Sequence, residues 1–272
     1  MRKRILNNGI EIPSVGLGIF NIKDAEELEN ALKFALDAGY RSFDTAQMYG
    51  NEQLIGQALK KLEVNREDIF LTTKINFTNM GYYNALDSFE ESLKKLQTDY
   101  VDMLMIHWPG QEKERLQKSW QALEKIYQDG KARVIGVCNC EIKHLKWIFE
   151  ICRIKPAINQ VERNPRMNDE ELRQWCVEHD ITMEAWSPLS RGNLNEPEII
   201  AISEKYGKTP AQVVLRWDLQ CGYIVIPKSV HKERLEENID IFDFSLAEDD
   251  IYTLSNMNMW KRMSHDPITF NY

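Results

Sequence analysis

The sequence predicts an α/β protein built as a single (β/α)8 TIM barrel over residues 1–272. Short apolar or β-branched runs alternate with amphipathic helical patterns along the whole chain, as expected for repeated βα units with a parallel sheet. Eight such units can be counted. Barrels of this kind use about 250 residues as one unit, and no linker rich in Pro, Gly or Ser divides the chain. We therefore expect one domain.

The first element is an expected β-hairpin that precedes the barrel strands. In RILNNGIEIP an Asn-Gly pair separates two short β-like runs. This dipeptide accommodates the positive φ angles of a tight hairpin turn. We expect the hairpin to close the floor of the barrel.

The eight predicted strands are mostly apolar throughout, which is typical of strands buried on both faces. They cover residues 17–19, 42–44, 69–74, 101–107, 132–138, 158–162, 182–186 and 222–226. Between them, apolar residues at i, i+3 and i+4 predict amphipathic helices, the first with the stripe Leu28, Ala31, Leu32 and Ala35. After the eighth unit, residues 246–256 predict one more helix, and residues 257–272 predict an irregular tail that could close over the barrel mouth.

Composition and charge exclude several classes of protein. The net charge of −8 and the absence of a basic run argue against nucleic-acid binding. No stretch has the apolar length of a signal peptide core or a membrane span, so we expect no membrane partner and a cytoplasmic location. The cysteines fit neither a zinc spacing nor a disulfide framework, and we interpret all five as reduced thiols: Cys138, Cys140, Cys152, Cys176 and Cys221.

Four polar residues follow the predicted strands where barrel enzymes place their chemistry, at the C-terminal ends. Asp44 ends the second strand, Tyr49 follows in DTAQMYGNE, Lys74 ends FLTTK, and His107 ends the fourth strand. Each has an ordinary alternative. Asp44 could cap a helix, Lys74 could be a solvated strand end, and the two rings could line a wall. Together, an acid, a phenol, an ammonium and an imidazole on one rim predict an active site.

Five segments together resemble the aldo-keto reductase family: DTAQMYGNE, the Lys of TTK, IHWPG, GVCNC and IPKSVHKERLEEN. They occur in order, at helix-length spacing, over nearly the whole chain. The similarity is to small bacterial members, such as 2,5-diketo-gluconate reductase-like carbonyl reductases. It implies an NADP-dependent oxidoreductase acting on CH-OH groups, which reduces aldehydes or ketones with NADPH. The family binds NADPH without a GxGxxG turn, and this sequence has none.

The resemblance implies that Tyr49 is the proton donor and that Asp44, Lys74 and His107 tune and orient it. A phenol titrates near pH 10, and lowering its pKa by about three units takes roughly 4 kcal/mol. An ammonium about 4 Å away supplies about that much at an effective dielectric constant of 20. We therefore expect Lys74 to lower the pKa of Tyr49. No metal is needed, because the nicotinamide carries the hydride.

The segment after the eighth strand predicts a phosphate site. Residues 227–229, Pro-Lys-Ser, open a helix, where backbone amides and an ammonium can converge on an anion. The ordinary alternative is a helix turn with solvated charges. The resemblance assigns Lys228, Ser229 and Arg234 to the adenosine 2′-phosphate, and Glu237 and Asn238 to the adenine. This set favours NADPH over NADH.

The resemblance also implies cofactor contacts nearer the barrel centre, from Asn139, Gln160, Trp186, Ser187 and Leu189. Asn139 and Gln160 match positions that bind the nicotinamide carboxamide, and Trp186 would stack on the ring. Trp186 replaces the commoner Tyr. Cys138 replaces the usual Ser, which weakens one hydrogen bond because a thiol is a poor donor.

Three loop residues are expected beside the substrate, a small-molecule carbonyl compound: Phe20, Asn76 and Trp108. Core packing is the alternative for Phe20. Asn76 stands where several relatives carry Trp, which indicates a more open or more polar pocket. The short segment after Pro109 and the short tail indicate weak substrate selection, and the resemblance implies a monomer.

Two other functions remain open at the level of the sequence. A barrel aldolase would use Lys74 as a Schiff-base lysine. A regulatory subunit would bind NADPH with little turnover, as some family members do. The presence of the full set Asp44, Tyr49, Lys74 and His107 favours an enzyme.

Overall fold

The computed structural model describes residues 2–270, which form a ring of eight parallel strands surrounded by helices, as predicted. The strands pair in chain order. They are β3 (Leu17–Gly18), β4 (Ser42–Asp44), β5 (Phe70–Ile75), β6 (Val101–Ile106), β7 (Ala132–Cys138), β8 (Ile158–Glu162), β9 (Thr182–Trp186) and β10 (Tyr223–Val225). The first and last strands meet as well, because the Gly16 amide donates to the Val225 carbonyl at 2.9 Å and the Val225 amide to the Ser14 carbonyl at 3.1 Å.

The predicted hairpin consists of β1 (Lys3–Ile5) and β2 (Glu11–Pro13), paired antiparallel. The turn between them places Gly9 at a φ of +82°, which favours glycine. Asn7 Nδ2 donates to the Pro156 carbonyl and Asn8 Nδ2 to the Arg133 carbonyl, each at 3.0 Å. Because these carbonyls lie at the beginnings of β8 and β7, the hairpin closes the floor of the barrel.

The helices follow the strands at the outside of the ring. They are α1 (Ala25–Ala38), α2 (Glu52–Lys61), α3 (Tyr82–Leu96), α4 (Lys113–Gln128), α5 (Ile142–Phe149), α6 (Glu170–Glu178), α7 (Pro197–Tyr206), α8 (Pro210–Gln220), α9 (Lys232–Ile239) and α10 (Glu248–Ser255). The stripe predicted for the first helix is buried, and Asp24 caps its N-terminus by accepting from the Glu27 amide. Within residues 2–270, none of the helices has the length and apolarity needed to cross a bilayer.

The strands are apolar on both faces because two separate cores contact them. Met103 and Met105 of β6 pack inside the barrel with residues of the hairpin. Leu104 and Ile106 of the same strand pack outward against the helices. Near the C-terminal ends of the strands, charged and amide side chains replace this apolar filling.

The segment after α10 runs irregularly over that polar end. The Met263 amide donates to Glu162 Oε1 at the end of β8, and Gln111 Nε2 donates to the Pro267 carbonyl at 3.0 Å. The expected position of the tail over the barrel mouth is therefore confirmed as far as residue 270, while residues 271 and 272 of the predicted tail lie outside the described residues.

Candidate active site

A buried ion pair occupies the centre of the polar end. Lys74 Nζ donates to Asp44 Oδ1 at 2.5 Å and to the Thr45 carbonyl at 2.9 Å, and the two charged side chains are 0% and 5% exposed. Burial by itself lowers the pKa of Lys74, but the interactions with Asp44, Tyr49 and Cys138 together outweigh burial and raise that pKa above its ordinary value. Lys74 is therefore a charged ammonium. The alternatives of a solvated strand end for Lys74 and a helix cap for Asp44 do not hold.

Tyr49 lies beside this pair, at the end of the short turn of helix Gln47–Tyr49 that follows β4. Its hydroxyl is 3.5 Å from Lys74 Nζ. The ring contacts Phe20 and His107 edge to face, with centroids 5.0 and 5.5 Å away. The structure thus brings the predicted phenol, ammonium and imidazole together.

The pKa of Tyr49 is raised, and this direction is opposite to the lowering expected from the ammonium alone. Enclosure by protein raises the pKa most, Lys74 lowers it, and Asp44 raises it again. The expectation from the sequence counted only the effect of Lys74 on the pKa of Tyr49. It left out desolvation and the Asp44 carboxylate, which offsets part of the effect of the ammonium.

His107 completes the group as a neutral imidazole. Its side chain is buried, and burial followed by the nearby Lys74 charge holds its pKa well below the ordinary value. Its Nδ1 has no hydrogen-bond partner within residues 2–270. A buried polar atom left unpaired is uncommon in proteins. A neutral ring can donate a hydrogen bond to a carbonyl oxygen but carries no excess proton to give.

Gln160 joins the ion pair to a second carboxylate that the sequence analysis missed. Its Nε2 donates to Asp44 Oδ2 at 2.9 Å and to Glu184 Oε2 at 2.6 Å. Glu184 is 1% exposed in the middle of β9. The sequence did contain a sign of a functional residue here, because TMEAW has one acidic residue inside a predicted buried strand.

The predicted carboxamide residues leave free acceptor positions. Gln160 uses its NH2 group on the two carboxylates, and its Oε1 lies 3.5 Å from Cys138 Sγ. Asn139 Nδ2 donates to the His107 carbonyl and to Cys138 Sγ, while its Oδ1 accepts from Trp186 Nε1 at 2.8 Å. Each amide oxygen can accept two hydrogen bonds. The remaining capacity therefore fits the NH2 group of a carboxamide.

The loop after β9 carries the other two residues expected at the nicotinamide end. Ser187 has a φ of +54°, in the left-handed region. Its Oγ lies 3.8 Å from Met263 Sδ in the tail. Leu189 is half-buried and packs against the apolar core. The tail therefore contacts the predicted cofactor loop.

The residues predicted to hold the adenosine phosphate form a second group after β10. Lys228 and Arg234 are exposed and have no ion pair within residues 2–270. Ser229 is buried, and its Oγ accepts from the His231 amide at 3.1 Å. Helix α9 begins at Lys232, and the preceding residue His231 does not cap it with its side chain, so the first amides of the helix are free for an anion. These features fit a phosphate dianion.

Two more predicted residues lie further along α9. Glu237 accepts from Thr209 Oγ1 at 2.6 Å, so its carboxylate is held by the start of α8. Asn238 is buried. Both lie on the same helix as Arg234, on the C-terminal side of the uncapped first turn.

The three predicted substrate residues lie in different surroundings. Phe20 is 57% exposed at the rim beside Tyr49, so it is not a core residue. The backbone N–H of Asn76 donates to Gln47 Oε1 at 2.8 Å, which holds that loop against the helical turn that contains Tyr49. Trp108 is buried against the tail, with its ring centroid 4.9 Å from that of Phe270. Phe270 in turn stacks on His265 at 3.9 Å. The sequence analysis did not foresee this aromatic cluster.

Comparison with known proteins identifies relatives of this chain. Residues 14–258 match the model of the Aldo/keto reductase family. The chain is 45% identical over 263 residues to the glyoxal reductase of Bacillus subtilis (strain 168), covering 96% of this chain and 95% of the relative. It is 40% identical over 268 residues to the methylglyoxal reductase DkgA of Escherichia coli (strain K12), covering 97% and 96%.

Solved structures agree with this similarity. The fold superimposes on a mutant of Gox0644 crystallised in complex with NADPH, with a TM-score of 0.94 and 37% sequence identity. The match covers 100% of this chain and 99% of that chain. The sequence-based resemblance and the barrel prediction are both confirmed.

Proposed function

The chain belongs to the aldo/keto reductase family, and from this premise we propose that it reduces small aldehydes and ketones, dicarbonyls above all, with NADPH. The observation that carries the proposal is that the Tyr49 hydroxyl lies 3.5 Å from the charged Lys74 while the Tyr49 ring contacts the neutral His107 ring edge to face. The likeness to a glyoxal reductase, a methylglyoxal reductase and an NADPH complex supports it.

NADPH, when bound, supplies the hydride that reduces the carbonyl carbon. Asn139 and Gln160 would accept hydrogen bonds from its carboxamide, and Trp186 would pack on the ring. Lys228 and Arg234 would bind the 2′-phosphate at the uncapped start of α9. Among residues 2–270 neither cation has an ion pair, which supports this role because neither must first break one.

Tyr49 would provide the proton. As hydride adds to carbon, the carbonyl oxygen gains negative charge and becomes a far stronger base than a phenolate. The Tyr49 O–H bond then breaks, its proton passes to that oxygen, and the alcohol forms. The raised pKa of Tyr49 keeps the phenol protonated until this moment. Lys74 would stabilise the phenolate that remains.

His107 and Asp44 would act on either side of this transfer. The neutral imidazole would donate a hydrogen bond to the developing oxyanion, where preorganised donors have their largest effect. Asp44 would hold the ammonium in place, since its Oδ1 accepts from Lys74 Nζ. These fixed hydrogen-bond donors would thus replace the water molecules that solvate the carbonyl oxygen of a free carbonyl compound.

The structure speaks against the aldolase alternative. A Schiff-base lysine must be a neutral amine to attack a carbonyl. Lys74 is instead held as an ammonium by Asp44, and its pKa is raised. The complete set around Tyr49 also favours turnover over a purely regulatory role. Because every proposed site residue comes from one barrel, we propose that residues 1–272 act as one domain and that a monomer suffices.

Steady-state assays test the proposal directly. Glyoxal, methylglyoxal, simple aldehydes and keto-sugars would be offered with NADPH and with NADH in parallel. We expect NADPH oxidation that depends on the carbonyl compound, with higher kcat/KM for NADPH. No turnover on the whole panel, with NADPH still bound, would support the regulatory alternative instead.

A further inference from the structure

The polar end of the barrel contains a carboxylate that the proposed chemistry does not use. Glu184 lies in β9, beside Gln160 of β8 and Ile224 of β10 in the strand register. One Gln160 NH2 group donates both to Glu184 Oε2 at 2.6 Å and to Asp44 Oδ2 at 2.9 Å. Asp44 uses its other oxygen on Lys74. A continuous set of hydrogen bonds therefore joins Glu184 to the ammonium beside Tyr49.

We propose that Glu184 is a positioning residue for carbonyl reduction, acting through Gln160 and Asp44 on the Lys74 ammonium and the Tyr49 proton. This inference rests on the proposed reductase function. It assigns Glu184 no contact with substrate. Its charge state would set how strongly the buried cation stabilises a phenolate at Tyr49.

The charges around Glu184 explain why its protonation matters. Asp44 from β4, Lys74 from β5 and Cys138 from β7 face it across the interior, while β6 and β10 contribute apolar side chains. With Glu184 neutral, the group holds one cation and one anion. With Glu184 ionised, it holds a net negative charge. Charges in such a buried site interact more strongly than in water.

The ionisation lies in a range that an assay can reach. Burial, and then the Asp44 charge, raise the pKa of Glu184 to about 7, while Gln160 and Lys74 oppose the shift. As pH rises through this value, Glu184 loses its proton and the phenolate of Tyr49 becomes less favourable. Proton donation becomes harder, so reduction should slow.

The first test is the pH profile of kcat/KM for methylglyoxal with NADPH. Glu184→Gln keeps an acceptor oxygen for Gln160 and removes the charge. We expect the wild-type value to fall about three- to tenfold as pH rises from about 6 to 8, because one added negative charge in this buried group disfavours the phenolate. Glu184→Gln should lack this step, and Glu184→Met, a second uncharged variant, should lack it too.

Glu52→Gln is the matched control. Glu52 is also a buried glutamate whose pKa is raised by burial, but it accepts from Thr73 and Ser92 hydroxyls and does not join Asp44. Its profile should keep the wild-type step. If the wild-type and Glu184→Gln profiles coincide, the inference is overturned. If the wild-type protein reduces no carbonyl compound, the proposed function fails instead.

A second readout does not require turnover. A folded-state pKa above the ordinary glutamate value means that stability is lost as pH rises from that ordinary value towards 7. Glu184→Gln removes this loss, so its Tm should exceed the wild-type Tm by a margin that grows over the same range. Carbon-13 NMR of the glutamate carboxyls should show one resonance titrating near pH 7 that is missing in Glu184→Gln. If the resonance that disappears in Glu184→Gln titrates at the ordinary glutamate pKa in the wild-type protein, the inference is contradicted.

Discussion

Lys74 Nζ lies 2.5 Å from Asp44 Oδ1, with both side chains inside the barrel. Removing one member of a buried ion pair leaves the other charge unpaired, at a cost of about 3–5 kcal/mol. We expect Lys74→Met to lose that much unfolding free energy and to lose reductase activity. The double variant Asp44→Asn/Lys74→Met should recover most of the stability and none of the activity. Urea unfolding measures the stability and NADPH oxidation measures the activity. If the double variant recovered both stability and activity, Lys74 would have only a structural role.

Tyr49→Phe tests the proton donor. The variant keeps the ring contacts to Phe20 and His107 but has no proton to give. We expect kcat/KM to fall about 10²- to 10⁴-fold, the usual size of general acid catalysis, while the Kd for NADPH changes less than about twofold. Tyr83→Phe, at a side chain that is 77% exposed, is the control. Retained turnover in Tyr49→Phe would reject the role.

Lys228→Ala and Arg234→Ala test the 2′-phosphate site. Each lost charge-assisted hydrogen bond costs about 1.5–3 kcal/mol, so each variant should raise the Kd for NADPH about 10- to 100-fold. The Kd for NADH should hardly change, because NADH lacks the 2′-phosphate. Lys232→Ala is the control on the same helix, since Lys232 faces Glu236 at 3.8 Å. Equal losses for both dinucleotides would place the phosphate elsewhere.

Cys138→Ser examines the carboxamide end of the cofactor site. Cys138 Sγ lies 3.1 Å from Asn139 Nδ2 and 3.5 Å from Gln160 Oε1, and burial raises its pKa, so it is a neutral thiol. A hydroxyl is a better donor and acceptor than a thiol. We expect the Kd for NADPH to fall about two- to tenfold, as for one hydrogen bond gained. Cys152→Ser, away from the site, should leave it unchanged, and weaker binding in Cys138→Ser would contradict this geometry.

The pH dependence of the activity should show no step caused by protonation of His107. Its pKa is held well below the ordinary histidine value, so the ring stays neutral where a free histidine would gain a proton. Activity should therefore not fall between about pH 7 and pH 5.5 because of this group. The unfolded chain does bind the proton there, so stability should decrease as pH falls. His107→Gln should lessen that decrease, and Tm measured against pH gives the answer.

The sequence predicted the barrel and the side chains that lie at its mouth, because both have local signals. Apolar runs and helical stripes fixed the order of the strands, and the rim residues follow directly from where each strand ends. Glu184 had a weaker signal, because it is a single acidic residue in a predicted buried strand. Its proposed role depends on contact with Gln160 and, through Gln160, with Asp44, which are distant from it in the sequence.

By itself, then, the sequence determined the strand order, the family and the identity of the residues at the barrel mouth. Only the tertiary structure decided that Gln160 bridges Asp44 and Glu184, that the tail covers Trp108, and that the pKa of Tyr49 is raised. The physical reason is that periodicity acts between neighbours in the chain. Desolvation and charge interactions depend on distances between strands, and those distances exist only when the barrel has closed.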